Sequence, residues 1–106
     1  LCIAINYGSR REMLLAARRY AQEVADGKRA NDLSEEEFSQ YLFIPEEVDL
    51  LIRTSGEERI SNFLLWQIAY SELIFDPAPW PEFNEASLNE ALEVFASRDR
   101  RFGGLK

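Results

Sequence analysis

Two arginines, a glycine and a serine lie close together in the stretch IRTSGEERISNFLLW, residues 52 to 66, and could bind an anion. Arg53 and Arg59 each carry a planar guanidinium, which can hold two phosphate oxygens at once. Ser61 adds a hydroxyl, and Gly56 allows the loop to turn back so that both arginines point the same way. The alternative is that the two arginines form ion pairs with nearby glutamates, because such pairs are common on protein surfaces. The residues alone support these two interpretations about equally.

A carboxylate that could bind a metal ion follows further along the chain. Glu72 stands at the entry to a short apolar stretch, ten residues beyond Asn62. Magnesium prefers one or two protein carboxylates together with phosphate oxygens and water, so a glutamate near a bound diphosphate suits it. The alternative is a charge at the end of a strand that faces water.

Strands that alternate with helices are predicted to position these side chains. Apolar runs predict strands buried on both faces at residues 1–6 and 48–52, and a third short strand at residues 72–75. This alternation implies right-handed crossovers, and therefore an α/β fold with part of a mainly parallel sheet and helices on both faces. In such sheets, ligands bind beyond the carboxyl ends of the strands, where loops lead into helices. The segments 6–10 and 53–61 both lie at such junctions.

Helix boundaries are predicted from capping residues and apolar spacing. Ser9 and Glu12 have the spacing of a capping box, and Gly27 is expected to end that helix near residue 25. A second capping box, Ser34 to Glu37, predicts a shorter helix. Residues 62–70 are apolar all round, which predicts a buried helix. The last helix is expected to be capped by Asn84 and to present one apolar face: Leu88, Ala91, Leu92 and Phe95.

Composition limits the class of protein. The chain has 106 residues, enough for one domain, and it carries a net charge of −7 with no histidine. The missing histidine removes the usual general base, and the acidic balance argues against nucleic-acid binding. Cys2 has no partner for an internal disulfide, and no apolar run is long enough to span a membrane. A cytoplasmic location is therefore predicted.

The motifs together resemble the C-terminal half of the cis-prenyltransferases, the undecaprenyl diphosphate synthase family. The resemblance rests on DLLIRTSGEERISNFLLWQIAYSELIF at residues 49–75, followed by WPEF and SRDRRFGG. The segment AINYGSRREM is similar to the family's N-Y-G-G-R motif, with Ser9 in place of a common glycine. This match covers essentially the whole chain, and the long central string is highly specific.

The resemblance implies an activity and roles for individual residues. Such enzymes condense isopentenyl diphosphate repeatedly onto an allylic diphosphate such as farnesyl diphosphate, and they form cis double bonds. Arg53, Arg59 and Ser61 would hold the diphosphate of isopentenyl diphosphate, and Glu72 would help to place Mg²⁺. The remaining implied substrate-binding residues are Asn6 and Arg10 in the same cavity, and Arg101 and Gly103, which would reach a diphosphate across a homodimer interface.

The family's D-G-N-x-R-W segment, whose aspartate anchors the metal and the allylic diphosphate, does not occur in the sequence. Residues 1–106 are therefore expected to be the C-terminal portion of a single domain, with no catalytic residue of their own and no turnover alone. Peripheral contact with a membrane would suit a lipid product. Two other hypotheses are a non-catalytic partner subunit that completes a neighbour's active site, and an unrelated α/β module that binds a phosphorylated metabolite.

Overall fold

Helices and two parallel strands make up the computed structural model, which describes residues 1–98. In chain order the elements are α1 (Ser9–Ala25), α2 (Glu35–Ser39), β1 (Leu50–Arg53), β2 (Glu72–Phe75), a 3₁₀ helix (Trp80–Glu82) and α3 (Glu85–Ser97). They belong to two compact units: residues 1–47 with 62–67, and residues 48–61 with those from 68 onward. No helix in the described part of the chain is long and apolar enough to cross a membrane.

The parallel sheet is confirmed in the second unit. β1 and β2 pair in parallel, with Leu50 opposite Glu72 and Arg53 opposite Phe75. The carboxyl ends of both strands therefore lie at the same edge, where Arg53 ends β1. The hydrogen bonds continue one residue past the ladder, because the amide of Asp76 donates to the carbonyl of Arg53 at 2.8 Å.

The strand predicted at residues 1–6 is wrong for the described structure. This segment forms no strand, and the apolar side chains of Leu1, Ile3 and Ile5 are exposed. A strand requires a neighbour for its backbone amides and carbonyls, and within residues 1–98 the sheet consists of β1 and β2 alone. The apolar residues of segment 1–6 predicted a buried strand, but they could not show whether a neighbouring strand is present to pair with it.

The first capping box is also wrong, although the helix itself is confirmed. The N-cap of α1 is Gly8, which makes no side-chain hydrogen bond, and α1 ends at Ala25 as predicted. The hydroxyl of Ser9 accepts a hydrogen bond from the amide of Leu65 at 2.8 Å instead. Glu12 turns inward and is buried. Both polar side chains have partners distant in sequence that outcompete the local cap.

Asn62 caps the start of α1 from a distance in sequence. Its carbonyl accepts from the amide of Ser9, and its side-chain oxygen accepts from the amide of Arg10, each at 2.8 Å. These are two of the amides that a helix start leaves without an internal partner. A Cβ added to Gly8 would lie 2.9 Å from the side-chain nitrogen of Asn62, so a larger residue at position 8 would force the Asn62 side chain to shift.

The helix predicted at residues 62–70 is wrong as well. These residues form bends and turns, and Asn62 and Leu64 have positive φ angles of 62° and 47°, outside the right-handed helical region. The amide of Leu65 and the carbonyl of Asn62, which a helix would use internally, are instead bonded to Ser9. The apolar pattern predicted burial correctly at Leu64 and Ile68, but not the backbone conformation.

The predicted caps of the two later helices are confirmed. At the start of α2, the Ser34 side chain accepts from the amide of Glu37, which confirms the cap but not the reciprocal bond of a capping box; the Glu37 carboxylate pairs with Arg29. Asn84 and Ser87 form a reciprocal capping box at the start of α3. The predicted apolar face of α3 is only partly buried, because Ala91 is 5% exposed whereas Leu88 and Leu92 are 40% and 46% exposed.

The buried carboxylate of Glu12 holds the first unit together. It accepts from the amide of Phe43 at 2.7 Å and from the side-chain nitrogen of Gln67 at 3.3 Å. The Tyr7 hydroxyl also donates to it, as does the amide of Ile44 at 3.4 Å. The charge of Glu12 is thus satisfied by neutral donors, and these donors come from three separate segments of the chain.

Replacement of Glu12 by alanine should destabilise the protein strongly, because it leaves several half-buried donors without an acceptor. Each such donor costs about 1–3 kcal/mol. We expect Glu12→Ala to lower the free energy of unfolding by at least about 2 kcal/mol, measured by urea denaturation. Glu36→Ala serves as the control because Glu36 is exposed on α2. Equal effects of the two substitutions would contradict this role of Glu12.

Candidate anion-binding site

A loop rich in charge follows β1, and we call residues 53–61 the basic loop after its two arginines, although Glu57 and Glu58 make its net charge zero. It begins at Arg53, the last residue of β1, and then makes a tight turn from Thr54 to Glu57. Ser55 and Gly56, the two central residues of that turn, have φ angles of 66° and 68°. Positive φ at both positions is typical of a type I′ turn, and the glycine predicted to reverse the loop therefore does so.

The basic loop is bonded to the segment that follows β2. The amide of Ser55 donates to the carbonyl of Ala78 at 2.8 Å, and the amide of Gly56 donates to the carbonyl of Asp76 at 3.2 Å. Together with the bond from the Asp76 amide to Arg53, three backbone bonds join the two segments. The turn is therefore ordered by a neighbouring stretch of chain, although Ser55 at its centre is exposed.

The three predicted anion-binding side chains have different surroundings. Arg53 is half-buried, and its guanidinium forms no ion pair within residues 1–98. The Arg59 guanidinium is paired with the Glu57 carboxylate, and its side chain is 68% exposed. Ser61 is exposed and has a φ angle of 52°. The ion-pair interpretation thus describes Arg59, whereas Arg53 has no such partner among residues 1–98.

Glu72 lies at the other end of the strands. It is the first residue of β2, opposite Leu50, whereas Arg53 is at the carboxyl edge. Its carboxylate accepts from Arg98 at 3.3 Å, and the same arginine donates to the carbonyl of Leu73 at 2.7 Å. Its side chain is 19% exposed, so it is neither fully in water nor free.

The described residues do not fit a magnesium site built from protein alone. No group of three histidine, cysteine, aspartate or glutamate residues between positions 1 and 98 could hold a metal ion. Glu72 offers a single carboxylate, which an arginine already engages. One carboxylate is enough for Mg²⁺ only when substrate oxygens and water provide the other ligands.

Asn6 and Arg10 belong to the first unit. Asn6 is exposed and has a φ angle of 52°, and Arg10 is an exposed residue in the first turn of α1. The backbone amide of Arg10 donates to the side chain of Asn62. The guanidinium of Arg10 forms no ion pair in the part of the chain that the structure describes. Tyr7, which lies between these two residues in the sequence, packs edge-on against Phe63, with the ring centroids 5.7 Å apart.

The other predicted substrate-binding residues, Arg101 and Gly103, lie outside the described residues. Within them, the sequence analysis missed Asp76, whose side-chain oxygen accepts from the amide of Ala78 at 2.8 Å. The dipeptide Asp76–Pro77 was an available signal, because aspartate before proline favours a turn closed by its own side chain.

The second unit has an α/β fold with two parallel strands, and the basic loop follows β1 at their carboxyl edge. The chain belongs to the undecaprenyl diphosphate synthase family, because the family model described as "Putative undecaprenyl diphosphate synthase" matches residues 1–103. The fold class and the family resemblance are thereby confirmed.

Curated relatives match along essentially the whole chain. The chain is 52% identical to "Isoprenyl transferase 2" of Bradyrhizobium diazoefficiens over 108 residues, which are 99% of this chain and 43% of the relative. It is 50% identical over 111 residues to "Ditrans,polycis-undecaprenyl-diphosphate synthase ((2E,6E)-farnesyl-diphosphate specific)" of Lactiplantibacillus plantarum, covering 99% and 43%. The chain therefore spans less than half the length of these relatives.

Solved structures agree with this assignment. Lavandulyl diphosphate synthase from Lavandula x intermedia, in complex with dimethylallyl diphosphate, superposes with a TM-score of 0.87 at 42% identity, over 94% of this chain and 44% of that one. A probable undecaprenyl diphosphate synthase from Campylobacter jejuni gives a TM-score of 0.80 at 38% identity, over 94% and 45%.

Tyr7 should make stability depend on alkaline pH. Burial, and then the hydrogen bond to Glu12, raise the pKa of Tyr7 from 10.0 to about 12. The neutral phenol is thus favoured in the folded state, so its contribution is complete below pH 10 and is lost as the pH rises from 10 to about 12. Urea midpoints across this window should fall more steeply for the native chain than for Tyr7→Phe. Parallel curves would contradict this role of Tyr7.

Proposed function

We propose that this chain provides the isopentenyl diphosphate site of a cis-prenyltransferase. The enzyme would condense isopentenyl diphosphate repeatedly onto an allylic diphosphate such as farnesyl diphosphate, and it would make a polyprenyl diphosphate with cis double bonds. The observation that carries this proposal is the basic loop at the carboxyl edge of β1, in a chain that belongs to the undecaprenyl diphosphate synthase family. The printed name of the Lactiplantibacillus relative supports the type of product and primer.

The basic loop would bind and orient the substrate rather than form a covalent bond with it. Arg53 and Arg59 would each hold oxygens of the isopentenyl diphosphate, and Ser61 would donate its hydroxyl to the same group. Each condensation joins the alkene carbon of isopentenyl diphosphate to the allylic carbon, releases the allylic diphosphate and removes one proton. Fixing one diphosphate holds the alkene in position for this step, which is catalysis by orientation.

The Arg59–Glu57 pair would exchange partners when the substrate binds. Because the arginine side chain is 68% exposed, its pair with Glu57 contributes at most about 1 kcal/mol. Hydrogen bonds from a guanidinium to a phosphate are worth about 1.5–3 kcal/mol when well formed. The diphosphate should therefore displace Glu57 from the Arg59 guanidinium. Before the diphosphate binds, Glu57 holds the Arg59 side chain close to the loop.

The family motif assigns Glu72 to Mg²⁺, although Glu72 begins β2 at the end of the strand pair opposite to Arg53. When bound, the ion would neutralise charge on the diphosphate groups. To serve as a ligand, Glu72 would have to release Arg98, which is 39% exposed and also donates to the carbonyl of Leu73. The remaining ligands would be diphosphate oxygens, water and groups outside the described residues.

Other parts of the proposal rest on the family motif alone. Asn6 and Arg10 are assigned to substrate binding, and Arg101 with Gly103 is assigned to a diphosphate across a homodimer interface. The 106 residues are expected to be inactive without the family's aspartate-bearing segment. A cytoplasmic protein with peripheral membrane contact would suit a lipid product.

Substitution of Arg59 should weaken the binding of isopentenyl diphosphate. Loss of one charge-assisted interaction corresponds to roughly a tenfold to hundredfold increase in Kd. Isothermal titration with the native chain and with Arg59→Ala measures this change. Arg18→Ala is the matched control, because Arg18 is an exposed arginine on α1 and removes the same charge.

The titration separates specific contacts from net charge. We expect Arg18→Ala to leave the Kd within about twofold, since salt screens exposed charges that do not contact the ligand. Equal weakening by both substitutions would mean that only overall charge matters. An unchanged Kd for Arg59→Ala would remove that arginine from the site.

The role of Glu72 can be tested through the magnesium dependence of the same binding. For the native chain, we expect isopentenyl diphosphate to bind more tightly with Mg²⁺ than with a chelator present. Glu72→Gln keeps the size of the side chain but is a poor magnesium ligand, so it should reduce this difference. Arg98→Gln, which removes the competing cation, should preserve or increase the difference. The same magnesium effect in the native chain and in Glu72→Gln would contradict the assignment.

A further inference from the structure

Asp76 occupies the junction between β2 and the basic loop. It is the first residue after β2, and its amide donates to the carbonyl of Arg53 at 2.8 Å. Its carbonyl accepts from the amide of Gly56 at 3.2 Å. The backbone of this one residue therefore contacts both the end of β1 and the turn that follows.

The side chain of Asp76 directs the next two residues. Pro77 has no amide hydrogen, so the next available donor is the amide of Ala78, and this donor bonds to the side-chain oxygen of Asp76 at 2.8 Å. An aspartate that closes such a turn fixes the direction of the chain after it. The carbonyl of Ala78 is then placed to accept from the amide of Ser55 at 2.8 Å.

The hydrogen bond from the Ser55 amide to Ala78 stabilises an unfavourable backbone conformation. Ser55 is not a glycine, yet it has a φ angle of 66°, and a left-handed conformation costs such a residue of the order of 1 kcal/mol or more. It persists only where surrounding bonds hold it. The Ala78 carbonyl provides one of these bonds, and Asp76 aims that carbonyl.

We infer that Asp76 is a positioning residue for the basic loop. It touches no substrate itself. It holds the turn at Ser55 and Gly56, and through that turn it fixes the path of the chain between Arg53 and Arg59. This inference rests on the proposed function, because its consequence is the affinity for isopentenyl diphosphate.

Hydrogen bonding can be separated from charge at this position. Asp76→Asn keeps the side-chain oxygen that accepts from Ala78 but removes the negative charge, whereas Asp76→Ala removes both. If Asp76 acts by positioning, Asp76→Asn should retain the native Kd for isopentenyl diphosphate within about twofold. Asp76→Ala should raise the Kd by about fivefold, the equivalent of one lost capping-type bond.

Asn84→Ala provides a matched control in the same unit. Asn84 also uses a side-chain oxygen to accept from a backbone amide, that of Ser87 at 3.0 Å, but it does so at the start of α3. Both alanine substitutions should lower the thermal midpoint of unfolding. Only Asp76→Ala should raise the Kd and increase the hydrogen-exchange rate of the Ser55 amide, measured by nuclear magnetic resonance.

The results distinguish failure of this inference from failure of the proposed function. If the native chain binds isopentenyl diphosphate and Asp76→Ala binds it equally well, Asp76 is not a positioning residue. If Asp76→Asn weakens binding as much as alanine does, charge rather than geometry is responsible and the inference is wrong. If the native chain does not bind, the proposed site fails, and the exchange rate of the Ser55 amide still decides whether Asp76 orders the loop.

Discussion

The parallel pairing of β1 with β2 is the constraint on which the candidate site depends. Because Arg53 lies opposite Phe75, the chain leaves both strands at the same edge, and the residues after each strand become neighbours. The hydrogen bonds that order the basic loop all start from this arrangement. A shift of one residue in the register would turn Arg53 to the opposite face of the sheet and would separate Asp76 from the loop.

The sequence predicted burial correctly at some apolar positions, such as Leu64, Ile68 and Ala91, but it did not predict the partners of polar groups. Ser9 and Glu12 have the spacing of a local capping box, yet the first accepts from Leu65 and the second is buried among donors from other segments. Asn84 behaves as predicted, because at the exposed start of α3 its side chain accepts from the nearby amide of Ser87. Local rules therefore apply where the surroundings are solvent, and tertiary contacts override them where the backbone of another segment is within reach.

The candidate site shows the same division between what sequence could and could not predict. Arg53 and the turn at Gly56 follow from an apolar strand and a glycine, and both were predictable. The predicted parallel strand at residues 72–75 already places Glu72 at the amino edge of the sheet, but the contact of Glu72 with Arg98 was not predictable. Asp76 was missed because it acts through a backbone group. Its side chain directs the carbonyl of Ala78, and the direction of a backbone carbonyl cannot be read from the sequence.

The glutamates beside the arginines acquire a physical explanation from the structure. Arg53 and Arg59 would repel each other if the loop contained no acidic residues. Glu57 gives Arg59 a partner, and the exposure of the pair keeps their attraction weak. A more buried pair would hold Arg59 too firmly for a diphosphate to displace the glutamate, because breaking it would strand a desolvated charge. An exposed acidic neighbour thus gives the Arg59 guanidinium a partner that a bound anion can still displace.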